Sequence, residues 1–312
     1  MTVSVIVPAW NAEATLGRTL GALARQRYCG SYEVIVVDNG SADRTAALAA
    51  AAPGPVRLLR REHGFAGDAR NDGVAASSGG PLAFTDADCF PEPGWLAAGV
   101  RALERADLVQ GRVRPDPQAR MGPFDRSLWV SAHDGLYQTA SLFMTRSAFD
   151  AAGGFEELDG DPDGRAFGED VWLAWRARRS GARAAFCPEA VVNHAVLPRG
   201  AAGYVRDRRG AAGFPLLARR VPELRRGALF GRVFLSRRSA EFDLALAGAA
   251  AALVRRRPLA LAAAAPYART IARRALESGA RAPLVAPVEV AADALTLGVL
   301  ARASLRARSP VL

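Results

Sequence analysis

Over the first ninety residues, short apolar runs alternate with segments whose apolar residues recur every three or four positions. VSVIV at residues 3–7, VIVV at 34–37, VRLL at 56–59 and LAFT at 82–85 are bounded by turn formers, which predicts buried parallel strands. Between them, residues 14–27 (ATLGRTLGALARQR), 44–51 and 66–76 carry helical spacing. Ser41 or Asp43 suits the cap of the second helix, and SSGG closes the third. Strands alternating with helices predict an α/β fold, a mostly parallel sheet flanked by helices with right-handed crossovers. Ligands of such sheets gather outside the carboxyl ends of the strands, where Asp38, Asp86 and Asp88 fall.

Beyond Asp88 the pattern is less regular. Residues 93–106 (PGWLAAGVRALERA) predict a helix with Pro93 near its start, and 108–113 a strand. SLFMTR from Ser141 predicts another strand, followed by a short helix in SAFDAAGG. EDVWLAWRARRSG, residues 169–181, reads as an amphipathic helix with its acids in the first turn, and short strands follow at 184–186 and 191–192. The chemistry-bearing part is therefore read as one domain, residues 1–198, and residues 199–312 as a helical, Arg- and Ala-rich C-terminal extension.

Charge separates these two parts. Residues 199–312 hold 21 arginines against 7 acids, whereas residues 1–198 hold 20 against 24, and the chain has no lysine. Two uses fit the basic tail: helices packed on the first domain or between copies in an oligomer, and a basic amphipathic surface lying on anionic lipid. Its apolar runs, residues 242–254 and 259–265, fall short of the roughly 20 residues a spanning helix needs. Few aromatics accompany the arginines, so nucleic acid is not an expected partner. Three scattered cysteines give neither a disulfide framework nor a zinc knuckle. The opening MTVSVIVPAW lacks a basic leader, so the expected location is cytoplasmic, peripheral on the inner face of the cell membrane where the tail meets lipid.

Asp86 and Asp88, one residue apart, raise a chemical question. Such a pair can hold a hard divalent cation, Mg²⁺ or Mn²⁺, or divide the work so that one acid takes the ion and the other a sugar hydroxyl. These ions keep substrate phosphates in their shell and need only one or two protein carboxylates, so a metal–diphosphate complex is the natural guest. In isolation, two turn acids capping the next segment are the better explanation of the pair.

Context decides between these. VSVIVPAWNAEATLGRTL, VIVVDNGSADRT, HGFAGDARNDGVAASSG, FTDADC and the GED at 168–170 occur in the order and approximate spacing of family 2 glycosyltransferases, and the chain resembles that family over about its first two hundred residues. The resemblance implies a GT-A fold, a nucleotide-diphosphate sugar donor, and an inverting transfer to a saccharide or lipid-linked acceptor hydroxyl. It also implies roles by position. Pro8, Ala9, Asn11 and Glu13 match the first loop around the nucleoside, and Asp38 the acid facing the base or ribose. Arg70 matches the basic residue near the nucleotide, Asp86 the ribose-side acid and Asp88 the metal-side one. His194 resembles a late metal-completing histidine, Asp170 the general base, and Glu169 a residue that orients a loop or acceptor.

Each assignment has a plainer counterpart. His194 follows Val191 and Val192 and could be a satisfied core imidazole; Glu169 and Asp170 could serve only the helix dipole. DGDPDGRAFG, residues 159–168, is expected to close over the donor, and residues 138–141 share with it a role in sugar choice. No Q-x-x-R-W motif is present, so single addition is expected rather than processive synthesis. Two rival functions fit the same residues. One is a catalytically silent sugar-nucleotide-binding protein of the same fold. The other is a sugar nucleotidyltransferase, for which the first loop PAWNAEATLGR lacks the expected Gly-rich phosphate cradle.

Overall fold

The computed structural model describes residues 2–158 and 167–312, which divide into two compact units. Residues 2–120, 127–158 and 168–197 form the first; residues 121–126, 167 and 198–312 form the second.

In the first unit the elements follow in the order β1 (Val3–Ala9), α1 (Leu16–Ala24), β2 (Tyr32–Asn39), α2 (Thr45–Ala50), β3 (Val56–Arg61), α3 (Ala66–Ala76) and β4 (Leu82–Phe84). Then come β5 (Cys89–Pro91), α4 (Trp95–Leu103), β6 (Leu108–Pro115), β7 (Leu142–Met144), α5 (Arg146–Ala152), α6 (Glu169–Arg179) and β8 (Ala184–His194). The eight strands of the described residues join one sheet in the order β3-β2-β1-β4-β7-β6-β8-β5. Six run in one sense; β5 and β7 run against their neighbours, so the sheet is mixed on the side that follows the D-x-D segment.

Side-chain alternation explains the layering. Val3, Val5, Val7, Val34 and Val36 face α1 and α4, where Leu16, Leu20, Leu23, Trp95 and Leu96 meet them. Ile6, Ile35 and Val37 face the other way, onto Ala69 and Val74 of α3, Phe149 of α5 and Leu173 of α6. Both faces are buried, which is why the first two strands are almost wholly apolar rather than alternating. Gly73 lets α3 approach β1 closely, since a Cβ there would sit 2.7 Å from Ile6 Cγ2. That approach places Arg70, one turn earlier, beside the strand ends.

Two elements depart from the sequence expectation. The strands expected at 184–186 and 191–192 are one strand, β8, whose partners on β6 jump from Cys187 to Val191 between Gly111 and Arg112. Pro188 cannot donate to the ladder, so the chain bulges there and resumes. β5 was not expected as a strand; it is held by pairing Cys89, Phe90 and Pro91 with His194, Asn193 and Val192.

The second unit is helical: α7 (Ala201–Arg206), α8 (Phe214–Arg220), α9 (Leu224–Gly227), α10 (Arg237–Val254), α11 (Ala265–Glu277) and α12 (Ala282–Ala307), with short 3₁₀ turns between them. The helix through Gly279–Ala307 is long and apolar enough to cross a membrane by length and composition, with a mean hydropathy of 1.7. The expectation that the tail's apolar runs are too short overlooked this stretch, which Pro283, Pro287, Glu289 and Asp293 interrupt in the sequence. Those acids are internal to the unit. Glu289 is fully buried and meets Arg238, Arg274 and Tyr204, and Asp293 pairs with Arg238 and Tyr267. Exposing that network to lipid would leave buried charges unpaired, at several kcal/mol per ion.

Candidate active site

Arg70 is the hub of the acidic cluster. Its Nη2 donates to Asp86 Oδ1 at 3.0 Å and its Nη1 to Glu169 Oε1 at 3.1 Å, while the Phe155 ring centre lies 5.4 Å from the guanidinium carbon. One buried cation thus ties together α3, the turn after β4 and the first turn of α6. Burial works against its charge, but Asp86 and Glu169 outweigh burial, so its pKa lies above the ordinary guanidinium value.

Asp170 follows directly. Gly168 precedes α6 with φ +77°, a conformation that favours glycine, and this turn brings Glu169 and Asp170 into the cluster. Asp170 Oδ1 accepts the Val171 backbone N–H at 2.8 Å. Burial first, and the adjacent Glu169 carboxylate second, push its carboxyl up to about 8, against the opposing pull of Arg70. A carboxyl so placed can accept a proton near neutral pH.

Asp88 and His194 meet on the far side of the D-x-D turn, with Oδ2 and Nε2 3.5 Å apart. β5 pairing with β8 sets this contact, since Cys89 opposes His194 and Ala195 N–H donates to the Asp88 carbonyl at 2.8 Å. His194 Nδ1 lies 2.7 Å from the Ala195 carbonyl, which can only accept, so Nδ1 carries a proton and Nε2 is the ring nitrogen turned toward Asp88. Carboxylate plus imidazole, joined by ligand phosphates, is a fitting donor set for Mg²⁺ or Mn²⁺. Cys89 completes a group whose ligating atoms lie within 4.8 Å of one another. Burial first, then Asp86 and Asp88, raise its thiol well above the ordinary value, and a neutral thiol is a poor partner for a hard cation.

The nucleotide-side residues sit at the ends of β1 and β2. Ala9 pairs with Asp38 across the two strands, next to Pro8 opposite Val37. Asp38 is buried; its Oδ1 accepts the Ser41 N–H at 3.1 Å, and its Oδ2 has no hydrogen bond, with Arg60 Nε at 3.5 Å. Asn11, at φ +47°, and Glu13 are committed differently. Asn11 Oδ1 accepts from Ala42 N and Glu13 Oε2 from Arg44 N, so both staple the first loop to residues 41–44. Trp10 is exposed beside them and stacks on His63 at 4.6 Å between ring centres.

The structure therefore brings Arg70, Asp86, Glu169 and Asp170 into one cluster, Asp88 and His194 into a second contact on the same turn, and Ala9 and Asp38 side by side. Of the expected sugar-contacting segments, 159–166 lies outside the described residues. In the other, Ser141 is occupied by Trp95 and Ala190, whereas Gln138 Oε1 is buried without a hydrogen bond. Phe155, which backs Arg70, and the Ala195 carbonyl, which sets the His194 tautomer, carry no motif of their own; the hydrophobic GGF after α5 and the residue following VNH were the available hints.

The glycosyl transferase family 2 model matches residues 4–150. Glycosyltransferase AglE of Haloferax volcanii is 32% identical over 213 residues, covering 64% of this chain and 68% of that protein. A pre-mycofactocin glycosyltransferase of Mycobacterium tuberculosis is 30% identical over 213 residues, covering 62% of this chain and 42% of its own length. Succinoglycan biosynthesis protein ExoO of Rhizobium meliloti is 38% identical over 117 residues, and the chain spans 32% of it. Among solved structures, a mannosyltransferase from Pyrobaculum calidifontis in complex with GDP-Man and Mn²⁺ superposes with a TM-score of 0.57 at 22% identity, over 96% of this chain and 86% of that one. S. aureus TarS 1–349 in complex with UDP gives 0.53 at 16% identity, over 98% and 91%.

Proposed function

The chain belongs to glycosyl transferase family 2 and is a glycosyltransferase of GT-A fold, and from that premise we propose that it is an inverting, divalent-cation-dependent enzyme moving one sugar per encounter from a nucleotide diphosphate to an acceptor hydroxyl. The observation that carries this reading is the Arg70 bridge, which holds the D-x-D acid Asp86 and the GED acid Glu169 in one cluster beside Asp170.

In this reading Asp38 accepts a hydrogen bond from the base or ribose through its unsatisfied Oδ2, and the stapled first loop shapes the nucleoside site. Asp86 faces the ribose, with Arg70 fixing its carboxylate. Asp88 and His194 would hold the cation, which would offset charge growing on the leaving diphosphate. Asp170 takes the acceptor proton while that oxygen forms its bond to the anomeric carbon. The bond from that carbon to the diphosphate breaks on the opposite face and its electron pair leaves with the nucleotide. An alcohol is a weak nucleophile until its proton is departing, and a well-placed base contributes about 10²–10⁴ in rate.

The nearest test is a thermal-shift panel of UDP-, GDP- and dTDP-sugars with and without Mn²⁺. One nucleotide class is expected to raise Tm only when the cation is present, because a ligand that binds only the native state stabilises it by mass action. No shift with any donor would remove the reading.

The second unit supports a peripheral membrane position on its own evidence. At the end of α10, Leu253, Val254 and Leu259 are 83%, 79% and 88% exposed, around Arg255, Arg256 and Arg257, which carry no ion pair among the described residues. Exposed leucines beside unpaired arginines suit the boundary of an anionic bilayer, each arginine near the surface adding about 1 kcal/mol. Co-sedimentation with phosphatidylglycerol vesicles is expected, falling with salt and falling again in a Leu253→Ser, Leu259→Ser double variant. Equal binding to neutral vesicles at high salt would contradict it.

A further inference from the structure

One cavity of the first unit takes no part in the arrangement above. It is a cleft of about 510 Å³ whose walls include Gly17, Arg18 and Gly21 of α1, Phe90 of β5, Glu92, and Asp116 just beyond β6. The cleft and the Asp88–His194 contact are built on the same piece of sheet edge. Phe90 lies two residues after Asp88 and pairs with Asn193, which precedes His194, and the Asp116 N–H donates to the His194 carbonyl at 2.8 Å.

Several planar polar groups of the lining are fixed in pairs, in one case through Arg114 beside it. Arg18 Nη2 meets Asp116 Oδ2 at 2.8 Å, with its guanidinium carbon 3.9 Å from the Phe90 ring centre. Arg114 Nε donates to Asn193 Oδ1 at 2.9 Å, and the same arginine pairs with Glu92. Gly17 and Gly21, one turn apart, leave the α1 wall bare; a Cβ on Gly17 would meet nothing within 4 Å. Arg18 is neutralised by Asp116 and Arg114 by Glu92, so Arg25 alone adds charge to the cleft. Fixed donors and acceptors suit neighbouring hydroxyls, and the glycine, proline and aromatic surfaces suit the C–H faces of a sugar ring. The volume lies in the range of small-ligand sites.

We propose that this cleft binds an oligosaccharide, the saccharide chain of the acceptor, held beside the metal-side cluster; this rests on the transferase reading above. The test uses the full chain on a microarray of bacterial oligosaccharides, with a thermal-shift titration of UDP and GDP plus Mn²⁺ run in parallel. Two variants serve. Gly17→Leu fills the cleft at an exposed helical position where leucine is the better helix former, and Arg18→Ala removes a half-exposed wall. The wild type is expected to retain a set of glycans, and both variants to lose that signal at least tenfold while their nucleotide shifts stay unchanged. Retention of the same glycans by Gly17→Leu, or no glycan held by the wild type, overturns the proposal. If glycans are lost in the variants yet no nucleotide shifts any form, the glycan site stands and the donor reading falls.

Discussion

Replacing Asp170 by asparagine is expected to lower transfer by about 10²–10⁴ while leaving cation-dependent donor binding intact, because the amide keeps the shape of the carboxylate but cannot take the acceptor proton. The pH dependence gives a second readout. With the carboxyl pushed up to about 8 by burial and by Glu169, the base is protonated and idle below that value. kcat/KM should therefore rise with pH and level off above about 8, and the rise should vanish in Asp170→Asn. Glu169→Gln removes the neighbouring negative charge, so the same rise should move to lower pH. Stability should run the opposite way. A carboxyl whose folded pKa exceeds its unfolded one stabilises the protein fully below the ordinary carboxylate value, and that contribution is lost as pH climbs toward 8. Asp170→Asn should then melt higher than the wild type at pH 8.5 and no higher at pH 4. Full activity in Asp170→Asn would dismiss it as the base, and a melting curve indifferent to pH would dismiss its burial.

The parts of this site that could be read from the sequence are those set by local pattern. Short apolar runs marked the first four strands, and the third helix, residues 66–76, matches α3, because apolar periodicity and turn residues act within a few positions. Asp38, Asp86 and Asp88 fall at or just after strand ends for the same reason. What the pattern could not give depends on distant partners. β5 is three residues long and is held by β8, a hundred residues later. The continuity of β8 across Pro188 depends on its partner β6. That Arg70 joins Asp86 to Glu169, that Asn11 and Glu13 spend their side chains on the 41–44 loop, and that the Ala195 carbonyl fixes the His194 tautomer are facts of tertiary packing. The cleft along α1 is another, since glycines at 17 and 21 read in the sequence only as weak helix formers. The long apolar helix at the end was obscured because its two acids break the hydrophobic run while being neutralised inside the unit.

Removing Asp88 separates the cation from the base. In Asp88→Ala the nucleotide-diphosphate thermal shift is expected to fall, at saturating Mn²⁺, to the value seen with EDTA, and transfer to drop by more than about 10²-fold, since cation stabilisation of a leaving diphosphate is worth several kcal/mol. His194→Ala should do the same to a lesser degree, because one carboxylate with substrate phosphates can still retain Mg²⁺ or Mn²⁺. Cys89→Ser discriminates between the two ways of reading the Asp88, Cys89 and His194 group. If the thiol only packs, the near-isosteric hydroxyl leaves cation dependence unchanged; if the sulfur is a ligand, preference should move from thiophilic ions such as Zn²⁺ toward Mg²⁺. The distinction from Asp170→Asn is the decisive part. That variant should bind donor and cation and fail in transfer, whereas Asp88→Ala should fail already in cation-dependent binding. Were both variants to lose binding equally, Asp86, Asp88, Glu169 and Asp170 would be acting as one electrostatic unit around Arg70, and the division between a metal-side acid and a base would not hold.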